Sequence, residues 1–331
     1  MSIPQQYRGL ALVIIGYDFF SGGGAWKSIH HYFRYQERTN RVPVKLIDRR
    51  RPRTLRQFLA AFVFSPRVLF NGMDSFYQWE SVLFMLLRRD CWVYLHDTDY
   101  MVRQYASWNR LKFRAFRHIV ARRNLLCVSE QMKDYYERTF GARNAHVVYE
   151  TVEVPPQVAF DPARKHVLMI GSIDERKGYP LFSEVAEKAR ERGLPWQFHW
   201  LGGNPGTSGQ KLSGAVTWWG FQTQVFDFVR KCDLFLLSSV DDPFPLSCLE
   251  ALASRRRVAV YRNTGIAEII DGTAGCAVYE DYTADAALAA AEAALQAEPD
   301  PERYDFFVNE LIPPQRFAER LDRILGIDAR T

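Results

Sequence analysis

Short apolar runs of six to eight residues punctuate the chain, separated by longer stretches whose apolar positions recur at helical spacing. The runs are 10–16 (LALVIIG), 42–47, 67–72, 91–96 and 124–129, then 166–171, 196–202, 215–220, 232–239, 257–262 and 275–280. They are rich in β-branched and aromatic residues, which predicts strands. Segments such as 25–37 (AWKSIHHYFRYQE) and 77–89 (YQWESVLFMLLRR) predict helices between them. Strands alternating with helices predict parallel sheets covered on both faces. Two such sets predict an α/β chain of two Rossmann-like domains. The stretch 149–165 (YETVEVPPQVAFDPARK) has adjacent prolines and little periodicity and predicts the linker. The expected layout is an N-terminal domain 1–150, a linker 151–164, a C-terminal domain 165–312, and a C-terminal helix 313–331 that packs back on the N-terminal domain. No internal repeat or low-complexity tract interrupts this plan; AALAAAEAALQAE is an Ala-rich helix.

The chain has 331 residues, 47% of them hydrophobic, enough to bury two cores and too apolar for disorder on the scale of a domain. No apolar run approaches the ~20 residues of a membrane span. LALVIIG, soon followed by Asp18, reads as a first buried strand rather than a signal peptide. Five cysteines, odd in number and without a C-x-x-C pair, predict a reduced, cytoplasmic protein rather than a disulfide framework. The net charge of +5 hides an asymmetry. Residues 1–150 carry 24 Lys and Arg against 12 Asp and Glu, whereas residues 151–331 carry 19 against 26. A basic half joined to an acidic half predicts different partners for each; a membrane surface, a phosphorylated substrate or a nucleic acid would suit the basic one.

Ligands of open α/β sheets bind beyond the carboxyl ends of the strands, so those positions carry the candidate chemistry. The most informative is SSVDDPFPLSCLEALA, Ser238 to Ala253. Pro245 suits the start of a helix, which would leave the amides of Leu246, Ser247 and Cys248 free for a phosphate. Glu250 falls about one turn further in, and Asp242 lies before the helix on the other side of the same anion site. A diphosphate flanked by two polyols would meet this arrangement. The plainer alternative is that Asp242 caps the helix and Glu250 is a solvated acid of its first turn.

The frame D-P-F-P-L-S-C-L-E-A, Asp242 to Ala251, with TGIAEIIDGTAGCAVYE after it, resembles the signature of the family 4 retaining glycosyltransferases. That signature has two acids separated by seven residues; Asp242 replaces the usual first Glu, and Pro245 the usual Gly. VLMIGSIDERKG resembles the family's G-x-x-x-x-x-K-G element, and VTWWGFQTQVFDFVRKCDLFLLSS resembles its base-binding segment. The resemblance covers nearly all of residues 165–280 in order and is weaker over 1–150. It implies a GT-B architecture, two Rossmann-like parallel-sheet domains facing across a cleft. It also implies a metal-independent enzyme without a cofactor, whose donor is a nucleotide-diphosphate sugar. Carried over by position, Glu250 holds ribose hydroxyls, Asp242 holds the transferred sugar, and the Leu246 and Ser247 amides meet the diphosphate. Lys177 neutralises the leaving nucleoside diphosphate. Arg176 stands in for an arginine that many relatives have where this chain has Ser172. Phe221 lies beside the base, and Phe244 belongs to the same donor-binding set.

The resemblance adds three further expectations. His96, closing the strand CWVYL, faces the donor sugar in the resembling enzymes, although a lone histidine at a strand end is more often structural. Gly23 and Gly24 of SGGGAW would approach the donor phosphates. Asp97 and Asp99 form a D-x-D, a pattern that elsewhere binds divalent metal through a diphosphate; here they are expected to cap the helix beginning near Tyr100. The basic stretches 48–58 and 108–123, the latter amphipathic, read either as solvated surfaces or as a peripheral contact with anionic lipid on the inner face of a membrane. The latter suits a saccharide or lipid-linked acceptor. No nucleic-acid module is recognisable. Rival readings are a non-catalytic sugar-nucleotide-binding protein, a membrane adaptor, or a sugar-nucleotide epimerase; a phosphorylase would need a longer chain.

Overall fold

The computed structural model describes residues 9–17, 24–50, 55–88, 90–155, 165–203 and 213–327. The apolar runs pair into two parallel sheets. The first comprises β1 (Leu12–Gly16), β2 (Val44–Asp48), β3 (Val68–Asn71), β4 (Cys91–Leu95), β5 (Asn124–Cys127) and β6 (Asn144–Val147), in the order β2-β1-β3-β4-β5-β6. The second comprises β7 (Lys165–Ile170), β8 (Trp196–Leu201), β9 (Val216–Trp218), β10 (Leu234–Leu237), β11 (Arg257–Tyr261) and β12 (Cys276–Tyr279), in the order β12-β11-β10-β7-β8-β9. Central strands β1, β3 and β10 are buried at every residue, because helices cover both faces. All eleven predicted strands are present. The unpredicted twelfth, β6, reads NAHV and is exposed at every second residue. An edge strand needs only one buried side, so it lacks the apolar run that betrays the others.

Each sheet anchors one compact unit: residues 1–151 with 314–331, and residues 152–313. In the first unit the helix expected near Tyr100 is Asp99–Trp108, and the amphipathic stretch 108–123 holds a separate helix, Arg110–Val120. Asn109 leaves helical geometry at φ −151° and its side chain accepts from the Lys112 amide at 2.9 Å, capping the second helix. The helix Pro314–Leu325 packs within this unit against the helix Gly24–Thr39. Buried Asp322 accepts from the Tyr32 hydroxyl at 2.6 Å and from the Gln36 amide at 2.9 Å, and Arg67 donates to the Leu325 carbonyl at 2.7 Å. Composition placed Thr151 at the head of the linker, but its side chain is buried and its amide donates to the Ser28 hydroxyl at 3.0 Å. Residues 156–164 of the predicted linker lie outside the described residues.

In the second unit the strand order reverses between β7 and β10, with β8 and β9 to one side and β11 and β12 to the other. Such a switch point opens a crevice at the strand carboxyl ends, because the two flanking connections leave in opposite directions. The Ala-rich helix Ala284–Gln296 lies against the helix Tyr179–Glu191 and strands β11 and β12, its small side chains allowing close approach.

Asp322 generates a test of the first unit. Asp322→Ala leaves the Tyr32 hydroxyl and Gln36 amide as buried donors without an acceptor, which costs roughly 2–4 kcal/mol in total. Urea unfolding should show the first unit destabilised by that order; an unchanged midpoint would mean that the returning helix contributes nothing.

Candidate functional site

The loops leaving β7 and β10 meet at the switch point. Lys177, seven residues beyond the end of β7, places its ammonium 2.6 Å from the Asp242 carboxylate, which follows β10. Both side chains are largely buried, at 17% and 6% exposure. An ammonium has three N–H donors, so the contact to Asp242 leaves donors for a phosphate oxygen.

The Lys177 loop is held from several sides. Asp174 accepts from the Lys177 amide at 2.7 Å and from the Ser172 hydroxyl. The Lys177 carbonyl accepts from Ser238 Oγ at 3.0 Å, and the Arg176 carbonyl accepts from the Val240 amide at 2.9 Å. The Arg176 guanidinium donates to the Asp241 carbonyl at 3.3 Å, which sets a second positive charge beside the Lys177–Asp242 pair. The glycines of the G-x-x-x-x-x-K-G element have separate reasons. A Cβ on Gly171 would stand 3.1 Å from Lys177 Cγ, so the glycine leaves room for the lysine stem. Gly178 adopts φ +71° and a Cβ there would fall 1.7 Å from the Ser238 carbonyl oxygen, so the two loops approach this closely only across a glycine.

Asp242 is fixed from its backbone as well. Its carbonyl accepts from the Gly265 amide at 2.9 Å, and it forms an isolated parallel bridge with Thr264. The chain then enters the helix Leu246–Ala253 with Pro245 as N-cap and no side-chain cap, so Asp242 does not cap it. Of the three amides expected to be free, that of Cys248 donates to the Pro245 carbonyl at 3.1 Å, tightening the first turn. Leu246 and Ser247 remain the two whose amides open the helix, where an anion is favoured. Glu250 is buried one turn in, at 7% exposure, and so is not a solvated surface acid. The Phe244 side chain is buried, whereas Phe221 is 80% exposed and follows Gly220. Lys177, Arg176, Asp242, Leu246, Ser247 and Glu250 thus lie on two neighbouring loops and the helix they lead into.

The candidates of the first unit have other surroundings. Gly23 lies outside the described residues, and Gly24 is the exposed first residue of the helix Gly24–Thr39. His96 is buried after β4 with both ring nitrogens engaged: Nε2 lies 3.0 Å from Asn71 Oδ1 and Nδ1 lies 2.8 Å from Glu150 Oε1. Tyr94 donates to the same Glu150 oxygen at 3.1 Å. The imidazole is therefore a member of a buried network rather than an unattached side chain. Asn71 and Glu150 were not visible as site residues. Asn71 ends a strand at which no motif stands, and Glu150 lies in the stretch whose prolines mark a linker.

The D-x-D acids do not cap the following helix; Thr98 holds the N-cap position, and Asp99 is already the first helical residue. Asp97 accepts from the Met73 amide at 3.0 Å, while Asp99 pairs with Arg103 at 2.6 Å and accepts from the Tyr135 hydroxyl at 2.8 Å. The two carboxylates thus serve separate protein partners. Among the described residues no group of three or more His, Cys, Asp or Glu is arranged to hold a metal ion.

This geometry can be set beside known proteins. Residues 164–297 match the family model described as glycosyl transferases group 1. A curated relative, the N,N'-diacetylbacillosaminyl-diphospho-undecaprenol alpha-1,3-N-acetylgalactosaminyltransferase of Campylobacter jejuni, is 32% identical over 109 residues. That alignment spans 31% of this chain and only 28% of the relative. Among solved structures, Anabaena Alr3699/HepE in complex with UDP and glucose superposes with a TM-score of 0.70 at 12% identity, covering 96% of this chain and 99% of that one. Sucrose-phosphate synthase from Thermosynechococcus elongatus superposes at 0.71 with 15% identity, over 96% and 98% of the two chains. The fold class is GT-B, two Rossmann-like parallel-sheet domains. The family match lies in the second of these: residues 164–297 are similar to glycosyl transferases group 1, in agreement with the resemblance read from the sequence.

Burial pushes the Asp97 carboxyl up to about 6, against smaller opposing effects of His96 and the Met73 amide. The folded state therefore binds this proton more tightly than the unfolded chain does. The resulting stability is present below the ordinary carboxyl value and is lost as pH rises through about 6. Asp97→Asn keeps an acceptor for the Met73 amide and removes the titration. The stability of the native chain relative to this variant should fall by on the order of 3 kcal/mol between pH 3.5 and 7. Parallel pH profiles for the two proteins would contradict the shift.

Proposed function

We propose that this protein is a retaining, metal-independent glycosyltransferase. It moves a hexose-type sugar from a nucleotide-diphosphate sugar to a hydroxyl of a saccharide or lipid-linked saccharide, in the synthesis of a cell-surface polysaccharide or lipopolysaccharide. The observation that carries the reading is the Lys177–Asp242 pair at the switch point, set at the head of a helix with buried Glu250 one turn in. The match of residues 164–297 to glycosyl transferases group 1 supports it, as do the name of the Campylobacter jejuni relative and the UDP and glucose bound to Alr3699/HepE.

In this reading the diphosphate sits against the Leu246 and Ser247 amides. Lys177 and Arg176 supply positive charge, and Glu250 accepts from ribose hydroxyls. Exposed Phe221 offers an aromatic face to the base, and Asp242 accepts from hydroxyls of the transferred sugar. The bond between the anomeric carbon and the phosphate oxygen breaks, and its electron pair leaves with the nucleoside diphosphate. The acceptor oxygen forms the new bond on the same face, and its proton passes to the departing phosphate. Lys177 stabilises the negative charge as it builds, the kind of interaction that is worth more in the transition state than in the ground state. Same-face displacement is the reading for stereochemistry because no pair of acids in the site identifies a nucleophile. The metal-free reading rests on these cationic groups and on Asp97 and Asp99 being engaged elsewhere. His96, tied to Glu150 and Asn71, is assigned to sugar or acceptor positioning rather than to nucleotide binding.

Calorimetric titration with a panel of nucleoside diphosphates, with and without EDTA, tests the donor site. One nucleotide should bind regardless of EDTA, and Glu250→Ala should weaken it about 10- to 100-fold through loss of a charged hydrogen-bond acceptor. Binding that disappears with EDTA would sink the metal-free reading, and no binding at all would sink the donor site. Turnover of the sugar nucleotide separates an enzyme from a binding protein. Lys177→Ala should cut kcat by about 10²–10³, and His96→Ala should lower turnover while leaving nucleoside diphosphate affinity unchanged. Binding without any turnover would favour the non-catalytic rival.

A further inference from the structure

Three helices of the first unit are neighbours in turn: Leu55–Phe64 meets Trp79–Leu87, which lies against Arg110–Val120. Phe58 and Phe62 of the first meet Phe84 of the second at ring-centroid distances of 5.2 and 4.9 Å, so these two helices already have their inward apolar contacts. Each nevertheless carries a second apolar stripe that faces out. On the first helix Leu55, Leu59 and Val63 are 48%, 57% and 62% exposed. On the second Trp79, Leu83 and Leu87 are 42%, 52% and 71% exposed. Both sets fall at i, i+4 and i+8, one above another along the outer side of their helix. Single exposed leucines need no explanation, but six large apolar side chains exposed in regular stripes on two neighbouring helices are of the kind that marks an interaction surface.

The charge around this patch is one-sided. The third helix bears Arg110, Lys112, Arg114 and Arg117, the first contributes Arg56, and neither carries an acid. On the middle helix the one acid, Glu80, is paired with Arg49 at 2.7 Å. The Lys112 ammonium lies over the Trp79 ring at 5.4 Å, so cation and apolar stripe adjoin directly. The basic stretch singled out from the sequence is thus the flank of the surface; its apolar centre is on the two preceding helices. No helix among the described residues is long and apolar enough to cross a membrane.

We propose that this face docks on an anionic lipid bilayer, the two apolar stripes entering the boundary between headgroups and acyl chains while the arginines of Arg110–Val120 meet the phosphates. A protein partner with a neutral apolar face would leave the basic flank unmatched. An anionic lipid surface satisfies both features at once, since partition rises with buried apolar area and with each basic residue near the headgroups. The inference is independent of the donor reading, because lipid binding is measured without nucleotide.

The test is co-sedimentation of the whole protein with vesicles of phosphatidylcholine alone and of phosphatidylcholine with phosphatidylglycerol. The protein should pellet with the anionic vesicles and be released by high salt. Leu59→Glu or Leu83→Glu should lower the partition coefficient by about tenfold or more, since each loses an inserted leucine. Arg114→Gln and Arg117→Gln should each lower it about fivefold. All four positions are exposed, so unchanged melting temperatures would confirm that the variants fold. Failure to bind anionic vesicles, or equal binding to neutral ones, would overturn the proposal. So would a concentration-dependent dimer that Leu83→Glu abolishes, which would give the patch to a second copy of the chain.

Discussion

The second unit is organised around an ion pair taken largely out of water. Bringing Lys177 and Asp242 together with so little exposure carries a desolvation cost that their attraction only partly offsets. The arrangement persists because the loops that bear them are determined by their own hydrogen bonds, through Asp174, Ser238 and Val240 on one side and Gly265 on the other. Gly178 makes the approach of the two loops sterically possible. A pair of this kind contributes little to stability; in the proposed function its value is preorganisation, with the charge already in position for a phosphate.

The parallel sheet is what permits that meeting. The strand order turns about at β7 and β10, so their connections diverge and leave the carboxyl ends of both strands open. Lys177 and Asp242 are 65 residues apart in the chain and adjoin because their strands are neighbours. The first unit uses the same device differently. Asn71 at the end of β3, His96 after β4 and Glu150 beyond β6 converge into a buried polar network in which each histidine nitrogen has a partner. Buried polar groups joined this way hold a single geometry, since losing one partner strands the others.

Much of this was legible in the chain. Buried parallel strands must be apolar throughout, so eleven of them announced themselves, and β6 escaped because an edge strand alternates. The spacing from Asp242 to Glu250 was legible because both belong to one loop and the helix it enters. What misled was local inference about caps. Asp97, Asp99 and Asp242 were each open to reading as caps, and each instead found a partner elsewhere, the Met73 amide, Arg103 and Lys177 respectively. A short carboxylate before a helix has several competing acceptor roles, and proximity in sequence favours the nearest.

The sequence by itself determined the class of fold, the succession of two sheets and the loop and helix that carry Asp242 and Glu250, because these follow from local periodicity and from motifs carried on single loops. Tertiary structure alone decided that Lys177 faces Asp242, that His96 is tied to Glu150, and that Leu55, Leu59 and Leu83 stand outward. Those are relations between residues tens of positions apart. They depend on strand order and on which side of a helix the neighbouring helix already occupies, and periodicity along a single segment contains neither.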